Sequence, residues 1–254
     1  MSEITFKVKK DFLKNLMAAV IPVSNEVCIN FTCDGFSIMQ SDIVRGMMLS
    51  LFVSKDAVDN YFCDENRTIG MELNAVQKAV KSCSEDVLIV IPTDGPKEGL
   101  VTFISGKFKW TTDTISTDGF NNVIFKKEPP IEPPYAVEIA TKDLTQFMSN
   151  KALFKDVQSV RFNANPDGLE LTMAENERKQ CSQVLATSFN DVDTDKVIST
   201  FSREYAEILA SVLTASINGS SKLYLGIDYP LKAEINISDS VTIKYYIAPW
   251  VSSD

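Results

Sequence analysis

The 254-residue sequence contains no histidine. Its absence removes the commonest general base and the commonest metal ligand, and so excludes a His-dependent triad or a histidine metalloenzyme. Lysine- or carboxylate-based catalysis is still open on inventory. Cysteine is sparse: Cys28, Cys33, Cys63, Cys83 and Cys181 form an odd set with no Cys-x-x-Cys pair. Reduced, buried thiols are the expectation. No apolar run reaches the ~20 residues of a membrane helix. The charged, alternating start Met1-Ser-Glu-Ile-Thr-Phe-Lys7 reads as neither a signal nor a transit peptide. The Asn-x-Ser/Thr sequons at Asn30, Asn66, Asn218 and Asn236 are then chance matches. No phosphate loop, nucleophile elbow or metal spacing is present, so no metal or cofactor is expected.

What is present is a repeat. Hydrophobic residues at 44% and charged residues at 23% suit a globular chain long enough to bury a core. Thr5–Val8 alternates as a strand, Lys9–Ile21 reads helical, and Val27–Phe31, the turn Asp34-Gly35 and Phe36–Met39 follow. Later, Ala136–Ile139 alternates, Thr141–Phe154 reads helical, and Val160–Phe162, Asp167-Gly168 and Leu169–Leu171 follow. Asp-Gly between alternating runs is a hairpin signal, because the turn needs positive φ. Each half then repeats the unit. Strand Thr68–Leu73, helix Asn74–Ser82 and strands Val87–Ile91 and Leu100–Ile104, turning at Asp94-Gly-Pro, answer strand Val197–Thr200, helix Arg203–Ala215 and strands Lys222–Ile227 and Leu231–Ile237. Asn74, Thr141 and Ser202 are the expected N-caps, and Pro22 ends the first helix. The reading is four strand–helix–strand–strand units, α+β in class, in two domains at 1–120 and 135–254. Residues 121–134, with Pro129, Pro130, Pro133 and Pro134, form an extended, semi-rigid connector.

With 25 basic and 34 acidic residues the net charge is −9, which repels nucleic acid overall. The helical stretches run the other way. They hold Lys9, Lys10, Lys14, Lys78, Lys81, Lys142, Lys151, Lys155 and Arg203, against Asp11, Asp143, Glu204 and Glu207. Lysine also suits exposed helix faces for propensity alone. Two further strands, Lys107–Ile115 and Lys179–Thr187, read as opposite sheet edges open to pairing with another chain.

The tail Lys244-Tyr-Tyr-Ile-Ala-Pro249, preceded by Tyr229-Pro230, resembles the end of DNA sliding clamps of the proliferating cell nuclear antigen family. So do Tyr61-x-Cys-Asp-x-Asn66, Gly70-x-x-Leu73, the helix Ala75–Lys81, and Met39-Gln-Ser-Asp-Ile-Val44. The resemblance spans essentially the whole chain. It implies the duplicated sliding-clamp fold, with helices lining the inside of a ring and sheets outside. Lys10, Lys14, Lys78, Lys81, Lys142, Lys151 and Arg203 would then face duplex DNA without reading sequence. A partner-peptide pocket would draw on Met39, Ile43, Val44, Phe125, Pro129, Ile131, Pro230, Tyr246, Ile247, Ala248 and Pro249. Head-to-tail edges at Phe108, Trp110, Thr111, Ser182 and Val184 would close a trimer.

The function so implied is that of a non-enzymatic polymerase processivity factor. It would tether DNA polymerase and other replication and repair proteins that carry a clamp-interacting peptide, would be placed on DNA by a clamp loader, and would have no membrane partner. It would work intracellularly at sites of DNA replication: the nucleus of a eukaryote, the cytoplasm or nucleoid of an archaeon, or a viral factory. Ile43, Gly46, Gln146, Ser149, Glu204 and Glu207 depart from types common in the family. A heterotrimeric or checkpoint-type clamp subunit is the alternative within the fold. An enzyme using Asp64, Glu65 and Arg67 is the alternative outside it.

Overall fold

The computed structural model describes residues 2–165, 168–176, 178–186, 197–227 and 229–250. The repeat is visible in the order of elements: each copy adds a fourth strand to the strand–helix–strand–strand unit, and in two copies that strand is the edge strand read from the sequence. The first copy is β1 (Glu3–Val8), α1 (Lys10–Val20), β2 (Glu26–Thr32), β3 (Gly35–Ser41) and β4 (Met47–Ser54), with an added β5 (Asp59–Cys63). The second is β6 (Arg67–Glu72), α2 (Leu73–Ser82), β7 (Val87–Pro92), β8 (Leu100–Ser105) and β9 (Phe108–Asp113). The third is β10 (Tyr135–Ala140), α3 (Thr141–Ser149), β11 (Ser159–Asn165), β12 (Gly168–Asn176) and β13 (Lys179–Ala186). The fourth is β14 (Val197–Ser202), α4 (Arg203–Leu213), β15 (Ser220–Leu225), β16 (Leu231–Ser238) and β17 (Val241–Ile247). The chain forms two compact units. The first comprises Met1–Ile43, Leu49–Glu128 and Ile237–Ile243; the second comprises Val44–Met48, Pro129–Asn236 and Lys244–Asp254.

Within each unit the two copies exchange strands. β1 pairs antiparallel with β7, from Glu3↔Pro92 to Val8↔Val87, and β2 pairs with β6, from Glu26↔Glu72 to Phe31↔Arg67. In the second unit β10 pairs with β15 and β11 with β14 in the same crossed manner. The sheet order β5-β1-β7-β8-β9 leaves β9 at an edge, and β13-β12-β11-β14 leaves β13 at another.

Burial follows the two periodicities. β1 buries Ile4, Phe6 and Val8 and turns the alternate residues outward. α1 buries Phe12, Leu13, Leu16, Met17 and Val20, and α4 buries Ala206, Leu209, Ala210 and Leu213, each an apolar stripe over the sheet. Phe6 is the hub of the first core, 5.2 Å from Phe36, 5.9 Å from Tyr61 and 6.0 Å from Phe31 between ring centres. In the second, Phe162 and Phe201 meet edge to face at 5.2 Å. The two hairpin glycines match: Gly35 has φ 140° and Gly168 φ 138°. A Cβ on Gly35 would overlap the Val53 carbonyl oxygen, so a side chain is also excluded by space.

The helix starts differ from the sequence expectation. Each strand runs into its helix with one linking residue or none, leaving no room for a capping box. The antiparallel ladder instead supplies one more rung. Leu73 N donates to Asn25 O (2.8 Å), Thr141 N to Gly219 O (2.9 Å) and Arg203 N to Gln158 O (2.8 Å). Those acceptors precede β2, β15 and β11, the strands already paired to the ones entering the helices. Asn25 adds its side chain, accepting from Asn74 N at 2.8 Å. Ser202 is an N-cap without a side-chain cap hydrogen bond, while the N-caps of α2 and α3 are Glu72 and Ala140, which places Asn74 and Thr141 inside the first turn. The third helix is also shorter than its pattern. It stops at Ser149, whose hydroxyl donates to Gln146 O at 2.6 Å, and a 3-10 turn over Asn150–Leu153 carries the chain to buried Phe154.

The cap can be tested directly. Asn25→Ala should lower stability by about 1 kcal/mol through loss of that bond. Asn74→Ala should stay within about 0.5 kcal/mol of the parent. Urea denaturation of both variants measures the difference.

Candidate functional site

In the first unit, α1 and α2 pack side by side and present their lysines unequally. Lys78 and Lys81 are exposed and have no ion-pair partner among the described residues. Lys14 lies 3.0 Å from Asp11 one turn earlier, a solvent-exposed pair of small net worth. Lys10 serves the fold itself, since its ammonium donates to Lys81 O at 3.3 Å and to Cys83 O. That places a cation on the carbonyl end of α2, where the helix dipole favours it.

In the second unit, Lys142 on α3 is exposed and has no ion-pair partner among the described residues. Lys151, in the turn after α3, is held at 2.6 Å by Glu207 Oε2. Glu207 Oε1 lies 3.4 Å from Arg203 Nε, while Arg203 Nη1 donates to Phe154 O (2.8 Å) and Lys155 O (3.1 Å). Of the basic residues singled out from the sequence, Lys78, Lys81 and Lys142 are thus uncommitted, Lys14 is weakly paired, and Lys10, Lys151 and Arg203 are engaged within the fold.

The two edge strands alternate, and the expected interface residues divide between exposed and half-buried positions. On β9, Thr111 is exposed, while Phe108 and Trp110 are half-buried, Trp110 leaning on Phe103 with ring centres 5.3 Å apart. On β13, Ser182 and Val184 are exposed. A hydroxyl pair ties each edge to its inner neighbour, Thr111 with Thr102 and Ser182 with Thr172, both at 3.0 Å. Thr187, the expected end of β13, lies outside the described residues.

The segments singled out for peptide docking divide between buried anchors and exposed surface. In the first unit, Phe125 N donates to Met39 O at 3.0 Å and Ser41 N to Val123 O at 2.9 Å, so the start of the connector runs beside β3. Glu128 accepts from the Ser50 hydroxyl at 2.8 Å. Phe125 is exposed, Met39 is half-buried, and Ile43 stands 92% exposed.

In the second unit, Val44 is 77% exposed, and Pro129, Ile131 and Pro230 are half-buried. Tyr246 and Ile247 are core residues at 6% and 1% exposure, a correction to their expected place on a pocket wall. They anchor β17, and the accessible tail begins at Ala248. There, Ala248 N donates to Gly46 O (2.9 Å) and Trp250 N to Thr200 O (2.7 Å), holding Ala248-Pro249-Trp250 at both ends. Ser199, the neighbour of Thr200 on β14, donates to Gly226 O at 3.0 Å and so brings Gly226 to the same strand. Trp250, Ile227 and Tyr229 are exposed there, and the sequence reading placed none of them in the docking set. Trp250 had a signal, as one of two tryptophans in the chain and directly after Ala-Pro. Gly46 is glycine for a visible reason: a Cβ there would overlap the Tyr205 hydroxyl oxygen, so that phenol fills the space of a side chain.

The remaining motif residues are structural. Tyr61's hydroxyl lies 2.8 Å from both Thr32 O and Gly35 O, closing the β2–β3 turn, and burial raises its pKa well above the phenol range. Burial likewise pushes the Cys28 thiol up to about 11 and raises Cys63, which disfavours thiolate in both. Glu65 and Arg67 face each other at 3.0 Å on an exposed surface. Among the described residues, no group of three or more Cys, Asp or Glu could hold a metal, and no helix is long and apolar enough to cross a membrane.

Comparison with known proteins agrees with this architecture. Residues 1–117 match the family model for the proliferating cell nuclear antigen N-terminal domain. A DNA polymerase sliding clamp of Methanococcus maripaludis is 24% identical, over 96% of this chain and 97% of that protein. Proliferating cell nuclear antigen 2 of Drosophila melanogaster is 23% identical, over 94% of each. Among solved structures, the proliferating cellular nuclear antigen of Entamoeba histolytica superposes with a TM-score of 0.83 at 16% identity, over 99% of this chain and all of that one. The A. fulgidus antigen bound to the C-terminal region of FEN-1 superposes with a TM-score of 0.78 at 18% identity, over the same shares. Over nearly its whole length this chain is similar to DNA sliding clamps of the proliferating cell nuclear antigen type, and it has their fold.

Proposed function

We propose that the protein is a processivity clamp: a ring of three copies that encircles duplex DNA and tethers polymerases and repair proteins by a short peptide of theirs. The observation that carries this reading is a pair of edges left unpaired among the described residues. β9 ends a sheet of the first unit and β13 ends a sheet of the second, each with polar and apolar residues facing out. Two different edges on one chain suit a heterologous, head-to-tail contact, which closes into a ring when the rotation allows. The exposed lysines of α1, α2 and α3 suit a surface that must attract phosphates without reading bases. The clamp is set on DNA by a loader and works where DNA is replicated, with no catalytic step of its own.

The docking surface for partner peptides is assigned to the second unit: Val44, Pro129, Ile131, Pro230, Ala248 and Pro249, extended by Trp250. What supports it is exposed apolar surface on a backbone pinned at both ends, which lowers the ordering cost of binding. The FEN-1 segment carried by the A. fulgidus homologue shows that a relative takes such an occupant. Met39, Ile43 and Phe125 stay with this set by resemblance alone.

Three outcomes are expected. Light scattering on the pure chain should give the mass of a trimer, and a charged residue at Ser182 or Thr111 should release monomers. A monomeric parent at micromolar concentration would instead favour a heteromeric ring. Replacing Lys14, Lys78 and Lys81 by glutamate should weaken DNA association and flatten its salt dependence, by a slope of about 0.9 for each phosphate no longer neutralised. Melting should change little, because these charges are exposed. For the docking surface, Ile131→Ala should weaken a peptide with one aliphatic and two aromatic anchors by about tenfold in calorimetry, as removal of one desolvated anchor site does. The ring should remain intact.

A further inference from the structure

We propose that Glu207 is an internal competitor for DNA phosphates, holding Lys151 and Arg203 in a closed cluster that weakens the second unit's hold on duplex DNA. The inference rests on the DNA-facing reading of the helices given above. Glu207 engages both cations at once and with different oxygens, Oε2 on Lys151 at 2.6 Å and Oε1 on Arg203 at 3.4 Å. Two oxygens on one anionic centre, received by an ammonium and a guanidinium, is also how a backbone phosphate would be received. The carboxylate therefore occupies the position a phosphate needs. The Arg203 guanidinium is fixed besides by the carbonyls of Phe154 and Lys155, so it cannot swing away to meet DNA elsewhere. The Glu207 side chain is 28% exposed, which shields the pair from solvent and salt more than the Lys14–Asp11 pair on α1, whose Asp11 is 85% exposed.

The chain contains its own comparison. α2 begins at Leu73 directly after β6, as α4 begins at Arg203 directly after β14. Four residues into each helix, α4 has Glu207 and α2 has Gln77, a neutral residue of nearly the same shape. Neither of the lysines on α2, Lys78 and Lys81, has an ion-pair partner among the described residues. The two halves of the duplication thus differ in whether a carboxylate is built in among the cations. A clamp that must slide benefits from a weak hold, and a fixed internal anion weakens it without removing the positive charge.

The test is fluorescence anisotropy of a labelled linear duplex of random sequence with the full-length protein in its native assembly, from 50 to 200 mM salt. Glu207→Gln makes α4 resemble α2 at this position, and Glu207→Ala removes the oxygens altogether. Both should steepen the slope of log affinity against log salt by up to ~1.8, two phosphate contacts at ~0.9 each. Across this fourfold salt range, that is a gain of about tenfold at the low end relative to the high end. Adding Lys151→Gln to either variant should return about half of the added slope. A shared melting temperature confirms that the variants are folded. Unchanged slopes in both Glu207 variants, with salt-dependent binding by the parent, would overturn this proposal alone. No salt-dependent binding by any of the proteins would overturn the DNA-facing reading, and this one with it.

Discussion

Three of the four helices begin on an extra rung of a β-ladder, and that junction shapes the rest of the structure. The ladder β2–β6 extends one rung past Glu26↔Glu72, so that Asn25 O receives the N–H of Leu73, the first residue of α2. The same step joins Gly219 to Thr141 and Gln158 to Arg203. A helix leaves four N–H groups without an internal partner at its start, and here a strand from the neighbouring copy satisfies the first of them. The helix direction is thereby tied to the sheet register. It also means that one copy cannot form alone: its helix start needs the other copy's strand, and its first strand needs the other copy's second.

From that coupling follows the distribution of charge. A helix laid over a sheet buries one stripe, and its outward residues are free to be chosen for another purpose. α2 uses that freedom for uncommitted lysines. α4 uses it for a self-neutralising cluster around Glu207, although both helices occupy the same place in the duplication. The net charge of −9 hides this, because the acidic excess lies outside the helices. The edges of the sheets are the complementary resource. β9 and β13 keep their inner sides tied by hydroxyl pairs and, among the described residues, stand at the ends of their sheets.

Much of the fold was legible in the amino-acid pattern. The duplication, the Asp34-Gly35 turn, the helices and both edge strands could be placed from period and spacing, because burial imposes a period of 3.6 on a helix and of 2 on a strand, while Asp167 lies outside the described residues. The misses share one cause. Asn74, Thr141 and Ser202 look like caps, yet the strand-to-helix step gives the role to Asn25, Gly219 and Gln158, far away in sequence. Tyr246 and Ile247 look like a docking wall because aromatic and aliphatic residues suit both a pocket and a core, and burial assigned them to the core. Trp250 lies past the last strand, and its backbone is held by Thr200, fifty positions earlier in the chain.

The sequence by itself determined the architecture: four α+β copies, a basic set of helices in an acidic chain, and no histidine for chemistry. These are properties of periodicity and inventory, which survive without knowledge of neighbours. Only the tertiary structure decided which charges are available and which backbone ends are satisfied. Lys10 reaches the carbonyl end of α2, Lys151 meets Glu207 across 56 residues of chain, and the Tyr205 phenol fills the space above Gly46. Such pairings depend on distance in space. No local pattern encodes that distance, because hydrogen bonds and ion pairs act over a few ångströms regardless of separation along the chain.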